Sequence, residues 1–255
     1  MKFARFISLA LLLGTATSSF AARENPYDVF WQALAPYANL IAKETKSPNP
    51  NRAVTAELTL ADMPPEAHWV VAENEKVHIA LQYPDKLRVS SAIAGEEVTI
   101  ARNGGELWAT PGEKISALID LAAPPAKTKK KDKLENFELP FSEKALVFLP
   151  ALFNVADAGD AQVGDAQCRV LDVKLMPELA RATHSEGWSA RVWIRSDHSL
   201  AKLQLNDGER RYSAFADRVV FATSLPPETW QPEGSDVMRL SPSRFKQALS
   251  LIAPF

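Results

Sequence analysis

Along residues 80–111, ALQYPDKLRVSSAIAGEEVTIARNGGELWATP, apolar and polar positions alternate, pause at glycines and alternate again. Alternation with period two places every second side chain on one face of a strand. The segment KLRVSSAIA, EEVTIARN and ELWATP is therefore predicted as a meander, with Gly95 and Gly104–Gly105 in its turns. Upstream, RAVTAELTLAD puts Val54, Ala56, Leu58 and Leu60 on one face. HWVVAE and KVHIALQYP flank a short turn and read as a hairpin. In the second of these, Val77, Ile79, Leu81 and Tyr83 share a face, with His78 and Gln82 opposite.

Elsewhere the period is helical. Residues 25–46 carry a stripe of Phe30, Leu34, Tyr37, Leu40 and Ile41, predicting a helix broken or kinked at Pro36. GEKISALIDLAAPP predicts a short helix, and FSEKALVFLPALFNVADA returns to helical spacing around Pro150. Between them, residues 122–140 are polar, proline-bounded and basic over Lys127–Lys133, the signature of a solvated loop. A second meander follows in QCRVLDVKLMP, WSARVWIRSD, LAKLQLND and RRYSAFADRVVFATSLPP, with turns at Asp197–His198 and Asp207–Gly208. The chain closes on a helix with Phe245, Leu249 and Ile252 on one face and Ser241 or Ser243 as N-cap. The expected organisation is one domain over residues 22–255: helix, meander, helical insert, second meander, helix.

The first 21 residues stand apart. Lys2 and Arg5 precede the apolar run Phe6–Leu13, and Ser19 and Ala21 form a small-x-small site, the pattern of a secretory signal peptide cut before Ala22. The apolar run is shorter than the roughly 20 residues a spanning helix needs. Cys168 is the single cysteine, so no internal disulfide forms and no cysteine near the cut can carry a lipid anchor. A formal net charge of −2 argues against nucleic acid, whose binders concentrate positive charge. The expected location is the bacterial periplasm.

Catalytic chemistry is sparse. His68, His78, His184 and His198 make no HxH or HxxxH pair, and the chain has no CxxC, GxSxG, Walker loop or GxGxxG. No metal, cofactor or catalytic residue is assigned and no enzyme is expected. A hydrolase would need polar groups converging in a hollow, with His78 and Asp172 or Glu186 as the pair to test. Cys168 reads as a small buried hydrophobe. What remains is apolar strand surface facing striped helices, which either fills a core or lines an apolar concavity for a ligand.

The order of these segments resembles the periplasmic lipoprotein carrier LolA and its relatives. Pro84, Leu87, Val89, Ile100, Arg102, Asn103, Gly104, Leu107, Trp108 and Pro111 fill the places of that family's motifs, and Phe221, Pro226 and Pro227 match its closing segment. The lysine-rich loop and SLPPETWQPEGSD have no counterpart in the carrier. The resemblance implies an α+β, β-rich fold: a strongly curved antiparallel sheet, an incomplete β-barrel, covered by lid helices. It also implies a carrier of lipid, lipoprotein acyl chains or another hydrophobic ligand, acting as a monomer between membrane-bound donor and acceptor proteins. The residues expected to line the cavity are Trp69, Val71, Ile79, Leu81, Leu87, Val89, Ile100 and Trp108, continued by Val192, Ile194, Leu203 and Leu205. Each would contribute apolar contact, about 25 cal/mol per Å² of ligand surface removed from water. The alternative is an envelope interaction protein with a filled core, binding through a sheet edge or the lysine loop.

Overall fold

The computed structural model describes residues 23–42, 50–62, 71–122, 134, 136, 146 and 148–252. The expected signal peptide, Trp69 and the Lys127–Lys133 run lie outside them. Helix α1 (Pro26–Leu40) leads into β1 (Ala53–Ala61), β2 (Lys76–Gln82), β3 (Lys86–Ile93), β4 (Glu96–Asn103) and β5 (Glu106–Thr110). After α2 (Gly112–Ala122) come β6 (Phe153–Val163), β7 (Ala166–Leu175), α3 (Pro177–Ala182), β8 (Ser189–Arg195), β9 (Leu200–Asn206) and β10 (Arg211–Ala222). The two-residue β11 (Met238–Arg239) and α4 (Pro242–Ile252) end the described chain.

All eleven strands form one antiparallel sheet in the order β11-β5-β4-β3-β2-β1-β10-β9-β8-β7-β6. β11 and β6 are its edges, so the sheet is open and curved rather than a closed barrel. The β3–β4 turn needs positive φ at both Ala94 (52°) and Gly95 (78°), the geometry that matches strand twist in a two-residue hairpin. The two meanders meet where β1 pairs with β10, and a bulge at Glu57/Leu58 interrupts that ladder. Bulges bend a strand and increase its twist.

Pairing registers fix which side chains share a face. Leu60, Val77, Val89, Ile93, Val98, Ile100, Leu107 and Ala109 face inward and pack under α2 and α4, against Ile115, Ile119, Phe245, Ala248, Leu251 and Ile252. On the second half of the same face, Val155, Leu171, Val173, Val192 and Ile194 pack under Val29, Phe30 and Ala33 of α1. Both helix sets thus cover one face of the sheet.

The helix termini are built from local chemistry. Pro26 occupies the first turn of α1, and the Asn25 side chain accepts a bond from the Tyr27 N–H. The Ser241 hydroxyl accepts from the Arg244 N–H at 3.3 Å and so caps α4. Gly112 opens α2 where a Cβ would lie 2.8 Å from Met238 Cβ, so only glycine lets β11 approach this closely. The Gly112 N–H donates to the Asp236 carbonyl at 3.1 Å, which ties the segment before β11 to the start of α2.

Three expectations differ from the structure. FNVADA was expected to continue a helix; among the described residues a 3-10 turn at Leu149–Leu152 ends just before it, and Phe153 begins the edge strand β6. One face of β6 is open to solvent, so its polar and small residues hide the alternation of Phe153 and Val155. In HWVVAE, Val71–Glu73 is a bend and turn rather than a strand, and residues 68–70 lie outside the described residues. Of the two alternatives at Pro36, the break does not occur, because α1 runs on to Leu40.

Candidate ligand-binding site

The inner face carries an apolar pocket of about 410 Å³ at one end of β6–β9. Phe153, Val173, Ala190 and Leu205 form its wall, while Thr183, Ser185 and Trp188, following α3, form its rim. Phe153 meets Phe30 of α1 edge-on, with ring centroids 5.5 Å apart, so the pocket continues from the apolar stripe of the helix. Trp188 is 46% exposed, an unusual state for a large apolar ring beside an apolar hollow. Its volume lies within the range of small-molecule sites.

The sequence-predicted lining residues divide by position. Val71, Val89 and Ile100 are buried beneath α2 and α4, with Ile79 and Leu87 partly buried against the same cluster. Leu81 is half-buried on the same face, opposite Val54 and Leu87. Val192 and Ile194 are buried beneath α1, with Leu203 packed beside them. Leu205 lines the pocket. Trp108 pairs with Ala101 and belongs to the opposite face, because inward-pointing Leu107 and Ala109 flank it. Phe153, Val173, Ala190 and Trp188 complete the pocket and are absent from the predicted lining. The alternation of Leu171, Val173 and Leu175 carried the signal for Val173, whereas Trp188 stands just before its strand and has no period to reveal it.

On the outer face, Trp108 and Trp230 are both buried, and neither indole N–H finds an acceptor among the described residues. Trp230 ends a 3-10 turn, Pro227–Trp230, within a strap that crosses the outer face over β3 and β4.

The residues weighed for catalysis do not converge. Asp172 on β7 and His78 on β2 are separated by five inter-strand steps, roughly 24 Å measured along the curved sheet. Asp172 is committed to Arg191, whose Nε donates at 2.6 Å and holds the carboxyl below the usual range. Glu186 precedes β8, four steps from β2. His78 Nδ1 lies 3.8 Å from Glu57, and Glu57 is also paired with Lys76. Cys168 is buried, and desolvation pushes its thiol pKa up, away from a reactive thiolate. Among the described residues no group of three or more His, Cys, Asp or Glu is placed to hold a metal, and no helix is long and apolar enough to cross a membrane.

No family model and no curated protein matches the sequence. Among solved structures, the chain is similar to the lipoprotein LppX of Mycobacterium tuberculosis, at 11% identity and a TM-score of 0.40, over 78% of this chain and 96% of that one. It is similar to the MucA/MucB complex structure of Pseudomonas aeruginosa at 12% identity and a TM-score of 0.42, over 84% of this chain and 63% of that one. A LolA superfamily protein of Nitrosomonas europaea matches at 9% identity and a TM-score of 0.28, over 79% of this chain and 97% of that one.

Proposed function

We propose that the protein is a periplasmic binding or carrier protein for a lipid, a lipoprotein acyl chain or another hydrophobic ligand, held between the curved sheet and its covering helices. The observation that carries this reading is the apolar pocket on the inner face, with Trp188 exposed at its rim. Binding there needs no covalent step: an alkyl chain leaves water, at about 25 cal/mol per Å², and meets Phe153, Val173 and Leu205. Widening the site requires α1 to move, since Phe30 closes one side against Phe153.

A second reading has its own observation. Ile100, Leu171 and Ile194 are already packed beneath helices, as in an envelope interaction protein with a filled core. The two are separated by titrating the protein with a fluorescent fatty-acid probe. Under the carrier reading the probe binds, and Leu205→Asp together with Trp188→Ser weakens it at least tenfold while the fold is kept. Absence of probe binding supports the filled-core protein.

A further inference from the structure

The outer face carries a separate groove of about 730 Å³, floored by β1–β3 and walled on one side by the strap. Register places Ser90, His78, Glu57 and Arg218 in one row across β3, β2, β1 and β10, with Arg88, Ala80 and Thr55 in the next. Small side chains at Thr55, Ala80 and Ser90 leave the floor low. Charged ones at Glu57, Arg88 and Arg218 stand around it.

Two polar side chains at the groove have bonding capacity open to a ligand. The Ser90 hydroxyl is on a residue only 6% exposed, lines the groove, and has no hydrogen-bond partner among the described residues. The Arg88 side chain is 17% exposed, and its counter-charge is Glu233 of the strap, 79% exposed, at 2.9 Å. The other Arg88 contact is a bond donated to the Thr229 carbonyl at 3.2 Å. A partly buried guanidinium gains most from a carboxylate held in its fork, yet the one it has sits on a solvent-facing side chain.

Glu233 can leave without releasing the strap. The strap is anchored by buried Trp230 and by the Leu225 N–H, which donates to Gln82 Oε1 at 2.9 Å. Around the groove, Lys76 offsets Glu57 and Glu233 offsets Arg88, while Arg218 makes no ion pair among the described residues and Glu228 stands at the rim. With Glu233 swung out, Arg88 loses its counter-charge beside the Ser90 hydroxyl, while Arg218 faces Glu57 and Glu228 stands at the rim.

We propose that this groove is a second binding site, for a small polar ligand bearing a carboxylate, and that Glu233 occupies the ligand's place on Arg88 when the site is empty. Arg88 would hold the incoming carboxylate and Ser90 would donate to it. The site lies on the opposite face from the apolar pocket, so it stands or falls independently of the carrier function.

The test is calorimetric titration of the mature protein with two probes, succinate as a free acid and acetyl-Gly-Glu-Gly-amide as a peptide-borne carboxylate. Because Glu233 is exposed, Glu233→Gln leaves the fold intact while removing the competing charge, and at least one probe then binds about tenfold tighter than to the wild type. Ser90→Ala weakens binding several-fold, Arg88→Lys weakens it while keeping the charge, and Arg88→Gln abolishes it. Whichever probe responds identifies the source of the carboxylate. The proposal is overturned if Glu233→Gln binds neither probe, if it binds no tighter than the wild type, or if binding survives in Arg88→Gln.

Discussion

Arg52 donates from Nη1 to the carbonyl of Ala42 at 2.6 Å and to that of Leu40 at 3.2 Å, fastening the end of α1 to the start of β1. Its guanidinium also lies over the Tyr83 ring, 4.3 Å from the centroid. The last carbonyls of a helix have no intrahelical partner, and a cation there satisfies them and complements the helix dipole. Replacing Arg52 by Ala is expected to lower stability by about 1–3 kcal/mol, the scale of hydrogen bonds to charged groups. Denaturant unfolding measures the loss. Hydrogen exchange should rise in α1 before it rises in the sheet.

The difference between filling a core and lining a pocket is also measurable. Ile100 is fully buried beneath α2 and α4, so Ile100→Ala should cost about 2–5 kcal/mol through lost transfer energy and a residual cavity. Leu205 borders empty apolar volume, so Leu205→Ala should cost well under that range and act mainly on ligand affinity. Chemical denaturation of the two variants side by side checks the contrast.

Trp230 is expected to anchor the strap. It is buried on the outer face, where Lys86 places its ammonium 5.6 Å from the centroid of the indole ring. Trp230→Ala should destabilise by about 3–5 kcal/mol and expose residues 226–236 to limited proteolysis. Trp230→Phe keeps most of the apolar area and removes an indole N–H that has no acceptor among the described residues, so it should be much milder.

Acid sensitivity should be traceable to the Asp172–Arg191 pair. The bonds from Arg191 hold the Asp172 carboxyl below its ordinary range in the folded state. A depressed folded pKa contributes stability above the unfolded value, near 3.9, and that contribution is lost as pH falls through the folded one. Both side chains are more than a third exposed, so solvent screening limits the effect to below about 1 kcal/mol. Asp172→Asn should therefore be slightly less stable than the wild type at neutral pH, with the gap closing in acid. Thermal melts across the acid range read this directly.

Much of the sheet was legible because one face is buried and the other is not. Val77, Ile79 and Leu81 alternate with His78 and Gln82, and the observed register keeps that division. Of the helical stripe, Phe30 and Leu34 likewise pack against the sheet, Tyr37 meets Phe221 edge-on and Leu40 is buried. Trp108 shows where alternation fails: it continues an apolar run, Leu107–Trp108–Ala109, in which both faces are covered, so no polar residue marks the outward side. The strap over the outer face comes from a proline-rich stretch more than a hundred residues later, and no local pattern announces it. The inner pocket was only partly legible for the same reason, since Phe153 is on an edge strand and Trp188 precedes a strand rather than alternating within one.

The most direct test of the central claim is native mass spectrometry of the protein purified from its native host without denaturation, followed by organic extraction and lipid analysis. A carrier should show a stoichiometric hydrophobic adduct that disappears in the folded Leu205→Asp, Trp188→Ser variant. A clean mass for the unliganded protein, together with no lipid in the extract and no uptake of added fatty acid, would contradict it.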